Sequence, residues 1–131
     1  MNWFKSIIKY AEITVAYHGS ASEFELFNYH TGYMGTGVYL TSSIPEAKEY
    51  AHIAINMRKL KGGNATKRVY KVSFDITNPF KVFHKGTGYP NVDKTLKDKG
   101  YDSVICEFER GTIEYCIFDK SKIKILETIE F

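Results

Sequence analysis

Alternation with a period of two sets the strongest limit on how this chain can fold. RVYKVSFDI, from Arg68 to Ile76, alternates and is rich in β-branched and aromatic residues, the pattern of a strand with two unlike faces. DSVICEF and TIEYCIFD give two more strands, joined by a turn at about Glu109 to Gly111. KIKILETI forms a last strand, and KVF a short one after the turn TNPF. Earlier in the chain, ITVAYHGS predicts a strand from about Ile13 to Tyr17, stopped by His18-Gly19-Ser20, and GVYL a short strand from Val38 to about Thr41. Most strands fall in the second half, so the order argues for α+β with antiparallel sheets rather than alternating βαβ units.

Helical signals fall between these strands. Ser43 suits an N-cap, Glu46 follows three places on as in a capping box, and Pro45 fits the first turn. Ala47, Tyr50, Ala51, Ala54 and Met57 then form one apolar face, and Gly62-Gly63 ends the helix. A second helix is expected from about Val92 to Lys99, stopped by Gly100. Trp3, Phe4, Ile7, Ile8 and Ala11 recur at helical spacing, so residues 1–12 predict an amphipathic N-terminal helix, too polar and short for a signal peptide or membrane span. Ala21 to Tyr33 lacks periodicity and reads as a loop, as does TGYPN. With 131 residues and no linker or repeat, residues 1–131 form one domain that buries roughly two thirds of its unfolded surface.

Composition excludes several function classes. A net charge of +3 is modest, and the lysines and arginines from Arg58 to Lys71 and at Lys120, Lys122 and Lys124 form either a solvated face or an anion-binding one. That charge does not make a nucleic-acid binder. Cys106 and Cys116 form no CxxC pair and the four histidines do not fall at zinc spacings, so no metal is expected, and reduced, buried thiols fit a cytoplasmic protein. There is no P-loop, no GxGxxG fingerprint and no GxSxG elbow. Ten tyrosines and nine phenylalanines supply material for a core and for the walls of a pocket alike.

Three polar groups stand out on spacing alone. His18 follows a strand, Tyr39 follows the turn Gly35-Thr36-Gly37, and Glu114 lies in an otherwise apolar strand. Each has an ordinary alternative: a structural hydrogen bond for His18, core packing for Tyr39 and a solvated edge for Glu114. Two glycines one residue apart suggest that something large approaches the backbone there. If the hairpin turn is Arg110-Gly111, Glu107 sits opposite Glu114, and two facing carboxylates raise one pKa.

Taken together, YHGS, GTGVYLTSSIPEAKEYA and EYCIFDKSKIKI resemble the catalytic core of ADP-ribosyltransferases of the diphtheria-toxin and poly(ADP-ribose)-polymerase class. The likeness runs from about Val15 to Leu126. That class has a histidine-tyrosine-glutamate signature, matched here by His18 in an HG dipeptide, Tyr39 after a G-x-G turn and Glu114 opening an E-Y-aliphatic-aliphatic-aromatic-D strand in which Cys116 replaces one aliphatic. Tyr50 matches its second tyrosine, eleven places after the first. NPFKV and GYDSVI also look like the small phage and bacterial members.

The resemblance implies an ADP-ribosyltransferase-like fold of split antiparallel β-sheets with flanking helices. It also implies NAD as co-substrate, with no metal. His18 would bond the adenosine-side ribose, and the Gly19 backbone would hold the nicotinamide amide with Ser20 beside it. Tyr39 and Tyr50 would stack on the nicotinamide ring, and Glu114 would stabilise the positive charge that builds on the ribose as the glycosidic bond breaks. Ala47 stands where the polymerase branch has a serine on the amide, so nicotinamide would either bind more weakly or be held by Ser42 or Ser43. Thr112 stands where the arginine-specific branch has a second glutamate, which argues against arginine as acceptor. The expected activity is transfer of a single ADP-ribose to a macromolecule, protein rather than nucleic acid, by a cytoplasmic phage or bacterial effector with no membrane role. The alternatives are an NAD glycohydrolase with water as acceptor, an inactive NAD-binding module, and an interaction domain.

Overall fold

Strands carry the architecture. The computed structural model describes residues 14–21, 27–60 and 66–131, which form β1 (Thr14–Ser20), β2 (His30–Gly32), β3 (Gly35–Thr41), β4 (Arg68–Phe74), β5 (Pro79–His84), β6 (Ser103–Phe108), β7 (Ile113–Ile117) and β8 (Ile123–Glu130). They assemble into one eight-stranded sheet in the order β5-β6-β7-β3-β1-β4-β8, with β2 paired to β3 off that path. All pairings are antiparallel except β5 with β6, which run parallel. The described residues hold a single α-helix, α1 (Ile44–Leu60).

This arrangement overturns the expected α+β fold of split antiparallel sheets with flanking helices. The sheet is continuous and mixed, and strands far outweigh helix. The expected N-terminal helix over residues 1–12 lies outside the described residues, as do Gly62-Gly63. The helix expected from Val92 to Lys99 is not one. Its backbone closes tight turns, with Lys99 N–H on the Leu96 carbonyl (3.1 Å) and Gly100 N–H on that of Lys97 (3.1 Å), each three residues back. Asp93 takes the Thr95 N–H at 2.8 Å, and only Val92 and Leu96 reach the core, an anchor too narrow to hold several helical turns. This segment is the long crossover that the parallel β5–β6 pair requires.

Two further expectations shift. β1 runs on through His18-Gly19-Ser20 instead of stopping there, because β4 pairs with it throughout, Gly19 opposite Val69 and Ser20 opposite Arg68. The inward face of α1 is Ala47, Ala51 and Ile55, while Tyr50 and Met57 are about half exposed (46 % and 54 %). The small residues let the helix backbone settle on β1: a Cβ at Gly19 would lie 1.9 Å from the Ala47 carbonyl oxygen. The cap is real but rearranged. Glu46 N–H donates to Ser43 Oγ (3.2 Å), whereas the Glu46 carboxylate accepts from Thr41 Oγ1 (2.9 Å) and the Ser43 N–H turns to that same hydroxyl (3.1 Å).

Alternation then divides the core. Tyr115 and Ile117 join Val38, Leu40, Val72 and Phe74 in one apolar cluster, while Cys116 and Phe118 join Val104, Cys106, Phe108 and Leu96 in another. The β6–β7 turn sets which residues fall where. Phe108 N–H bonds the Thr112 carbonyl (2.9 Å) around a three-residue turn, Glu109-Arg110-Gly111, with Gly111 at φ +93°. Three residues rather than two move the register by one place. Cys106, not Glu107, therefore faces Glu114, and Glu107 pairs with Ile113 and is exposed.

Candidate functional site

β1 and β3 share one registered pair, Tyr17 with Thr41, and there a cavity of about 650 Å³ opens. His18 and Gly19 from β1, Tyr39 from β3, Tyr50 from α1 and Glu114 from β7 all line it. Five of the seven sequence-derived site residues thus meet in one place from four elements. Ser20 and Ser42 do not line it. Ser20 is buried, and Ser42 Oγ accepts the Ile113 N–H at 2.9 Å, which ties the start of β7 to the turn before α1. Ser43, the other stand-in for the amide contact, is spent on the helix cap.

The His18 ring is fixed by its Nδ1, which donates to the Tyr39 carbonyl at 3.1 Å, and by the Phe27 ring, edge-on at 5.2 Å. Tyr39 is held at its tip: its hydroxyl donates to the Gly35 carbonyl (2.7 Å) and accepts the Met34 N–H (2.9 Å). A tyrosine locked at both ends of its hydroxyl presents its ring, not its phenol, to the cavity.

The paired glycines have a different purpose from the one their spacing suggests. Gly35 takes φ +94°, a backbone that favours glycine in the β2–β3 turn. A Cβ at Gly37 would meet Cys116 Sγ at 2.6 Å and the Ile117 carbonyl at 2.7 Å. The large neighbour at that backbone is therefore β7, and the close contact holds β3 against the strand that carries Glu114, which pairs with Thr41.

Glu114 is 3 % exposed, and Tyr33 donates its hydroxyl to Oε1 at 3.1 Å. Arg110 Nη2 lies 3.9 Å from Oε2 and 3.0 Å from Glu46 Oε1, with its guanidinium over the Phe108 ring at 4.3 Å. Burial pushes the Glu114 pKa up. The Tyr33 hydrogen bond pulls it down, the Glu46 charge pushes it up and Arg110 pulls it down, for a net rise. The second carboxylate near Glu114 thus comes from α1 rather than from Glu107. Burial and the neighbouring Glu114 also push the Tyr33 and Tyr50 phenols up, so both stay protonated donors. Cys116, beneath Tyr39, is pushed by burial up to about 12 and stays a thiol.

Sequence reasoning missed Tyr33, Tyr17 and Tyr89, which add three aromatic walls. Tyr89 stacks on Tyr33 with centroids 4.7 Å apart. Tyr33 lies in a stretch without periodicity and meets Glu114 across 81 residues of chain, so no local signal marks it. Among the described residues no group of three His, Cys, Asp or Glu could hold a metal ion, and no helix is long and apolar enough to cross a membrane. No protein-family model matches the chain, and no curated protein matches it.

Proposed function

We propose that this cavity takes NAD and that the protein transfers a single ADP-ribose from it to a macromolecular acceptor, releasing nicotinamide. One observation carries the reading: a buried carboxylate, Glu114, in the wall of a tyrosine-lined cavity that also gathers His18, Gly19, Tyr39 and Tyr50. The oxidised nicotinamide ring is flat and cationic, and tyrosine faces with a nearby carboxylate suit such a group. The described lining holds no lysine or arginine, so the half of NAD it suits is the nicotinamide riboside rather than the diphosphate.

Cleavage of the bond between nicotinamide and ribose builds positive charge on the sugar. A fixed, ionised carboxylate stabilises that charge most where water is excluded. Glu114 has the burial for this, and Tyr33 and Arg110 work against its protonation. Tyr39 and Tyr50 supply ring faces, and His18 a ring whose orientation the Tyr39 carbonyl sets.

The test is nicotinamide release from NAD by wild type and by Glu114→Gln, with NAD binding measured by calorimetry. Binding by both and turnover by wild type alone supports the reading; comparable turnover by the variant sinks the role of Glu114. Labelled NAD with a host lysate then identifies the acceptor. Nicotinamide release without any labelled macromolecule makes water the acceptor instead.

A further inference from the structure

We infer that Tyr33 is a positioning residue for Glu114: its hydroxyl fixes the carboxylate by one oxygen, and its ring is in turn held by Tyr89 and Phe108. This rests on the reading of Glu114 as the charge-stabilising group. Tyr33 donates to Glu114 Oε1 at 3.1 Å. Its ring packs against Tyr89 at 4.7 Å, Phe108 at 6.4 Å and Tyr39 at 6.2 Å, so the phenol has a fixed place from which to donate. A carboxylate on a β-strand otherwise turns about its last bond, and one hydrogen bond removes that freedom.

The titratable groups that face Glu114 come from α1, β6 and two turns, while β3 sets the non-titrating Thr41 opposite it. They are Tyr33 from the β2–β3 turn, Glu46 and Tyr50 from α1, Cys106 from β6 and Arg110 from the β6–β7 turn. The Cys106 thiol is pushed up by burial and stays neutral; Tyr33 and Tyr50 also stay neutral, leaving Glu46 and Arg110 as the charged neighbours. Arg110 is half exposed and engages Glu46 more closely than Glu114. Tyr33 is thus the neighbour that sets the position of the carboxylate oxygens.

Tyr33→Phe removes one hydroxyl and keeps the ring. A hydrogen bond to a charged group is strong enough that its loss lowers kcat by about tenfold and moves the acidic limb of the rate profile up by about one pH unit. The KM for NAD stays near wild type. Replacing Tyr33 with 3,5-difluorotyrosine makes the phenol a stronger donor and moves the limb down. The Glu114 carboxyl ¹³C signal, assigned against Glu114→Gln, gives the same titration without turnover. Matching shifts in rate and titration carry the inference. An unchanged titration in both variants overturns it, whatever the activity. A wild type that releases no nicotinamide removes the NAD reading, and the ¹³C titration then decides the Tyr33 bond alone.

Discussion

His18 Nδ1 donates to the backbone carbonyl of Tyr39 and so ties β1 to β3 where the two strands share a single registered pair. A side chain here replaces the ladder hydrogen bonds that the sheet lacks at its cavity. His18→Ala is expected to lower stability by about 1–2 kcal/mol through loss of this bond and of the Phe27 contact. His18→Asn, which keeps a short donor, is expected to recover part of it. Urea unfolding of the three proteins measures the difference.

Glu114 ties stability and activity to pH in opposite ways. Its folded pKa lies above the unfolded value, so the native state holds the extra proton between the two. The Glu114 contribution to stability is therefore greatest below the ordinary glutamate pKa and falls as pH rises through the raised one. Glu114→Gln removes that loss. At pH 7 the variant is expected to gain about 1 kcal/mol, or about 4 °C in Tm for a domain of this size, and to show no gain in acid. Turnover runs the other way, lost in wild type as pH falls through the raised pKa. Paired thermal melts and rate profiles read both.

Asp102 shows the reverse sign. Burial pushes its pKa up, but bonds from the Thr77 N–H (2.7 Å) and hydroxyl (2.9 Å) and from Ser103 Oγ (2.9 Å) more than offset this and leave it lowered. Its contribution is present above the unfolded aspartate pKa and is lost as pH falls through the lowered one. Asp102→Asn is expected to cost about 1–2 kcal/mol at pH 7. The gap to wild type should close in acid, as followed by melts across pH.

Gly37→Ala drives a methyl into Cys116 Sγ and the Ile117 carbonyl, and Gly19→Ala drives one into the α1 backbone. Backbone cannot yield as a side-chain tip can. Each change is expected to cost about 1–3 kcal/mol or more, visible as a lower urea midpoint. Gly19→Ala is thus a packing variant first, and its loss of ligand binding would not by itself locate the ligand.

Local patterns carried some of these features and not others. The alternating strands from Arg68 onward and the cap at Ser43 are encoded within a few residues, and both are found. The fold class is not, because the parallel β5–β6 pair depends on a long crossover whose Val92-Leu96 anchor looks like a helix face. Tyr50 read as inward since it lies three residues from Ala47, but the helix rolls toward Ala51 and Ile55 to lie against Gly19. His18, Tyr39 and Glu114 were recognisable as a set by their order in the chain; Tyr33, Glu46 and Arg110 join Glu114 only through the folded sheet.

The three-residue turn after Phe108 gives a residue outside the cavity lining a hold over the carboxylate. Closing the same residues with a two-residue turn at Arg110-Gly111 would bring Glu107 opposite Glu114 and turn the apolar side of β6 away from Cys116. Gly111, at φ +93°, is the residue that lets the longer turn close. A core and a carboxylate site thus hang on one exposed glycine.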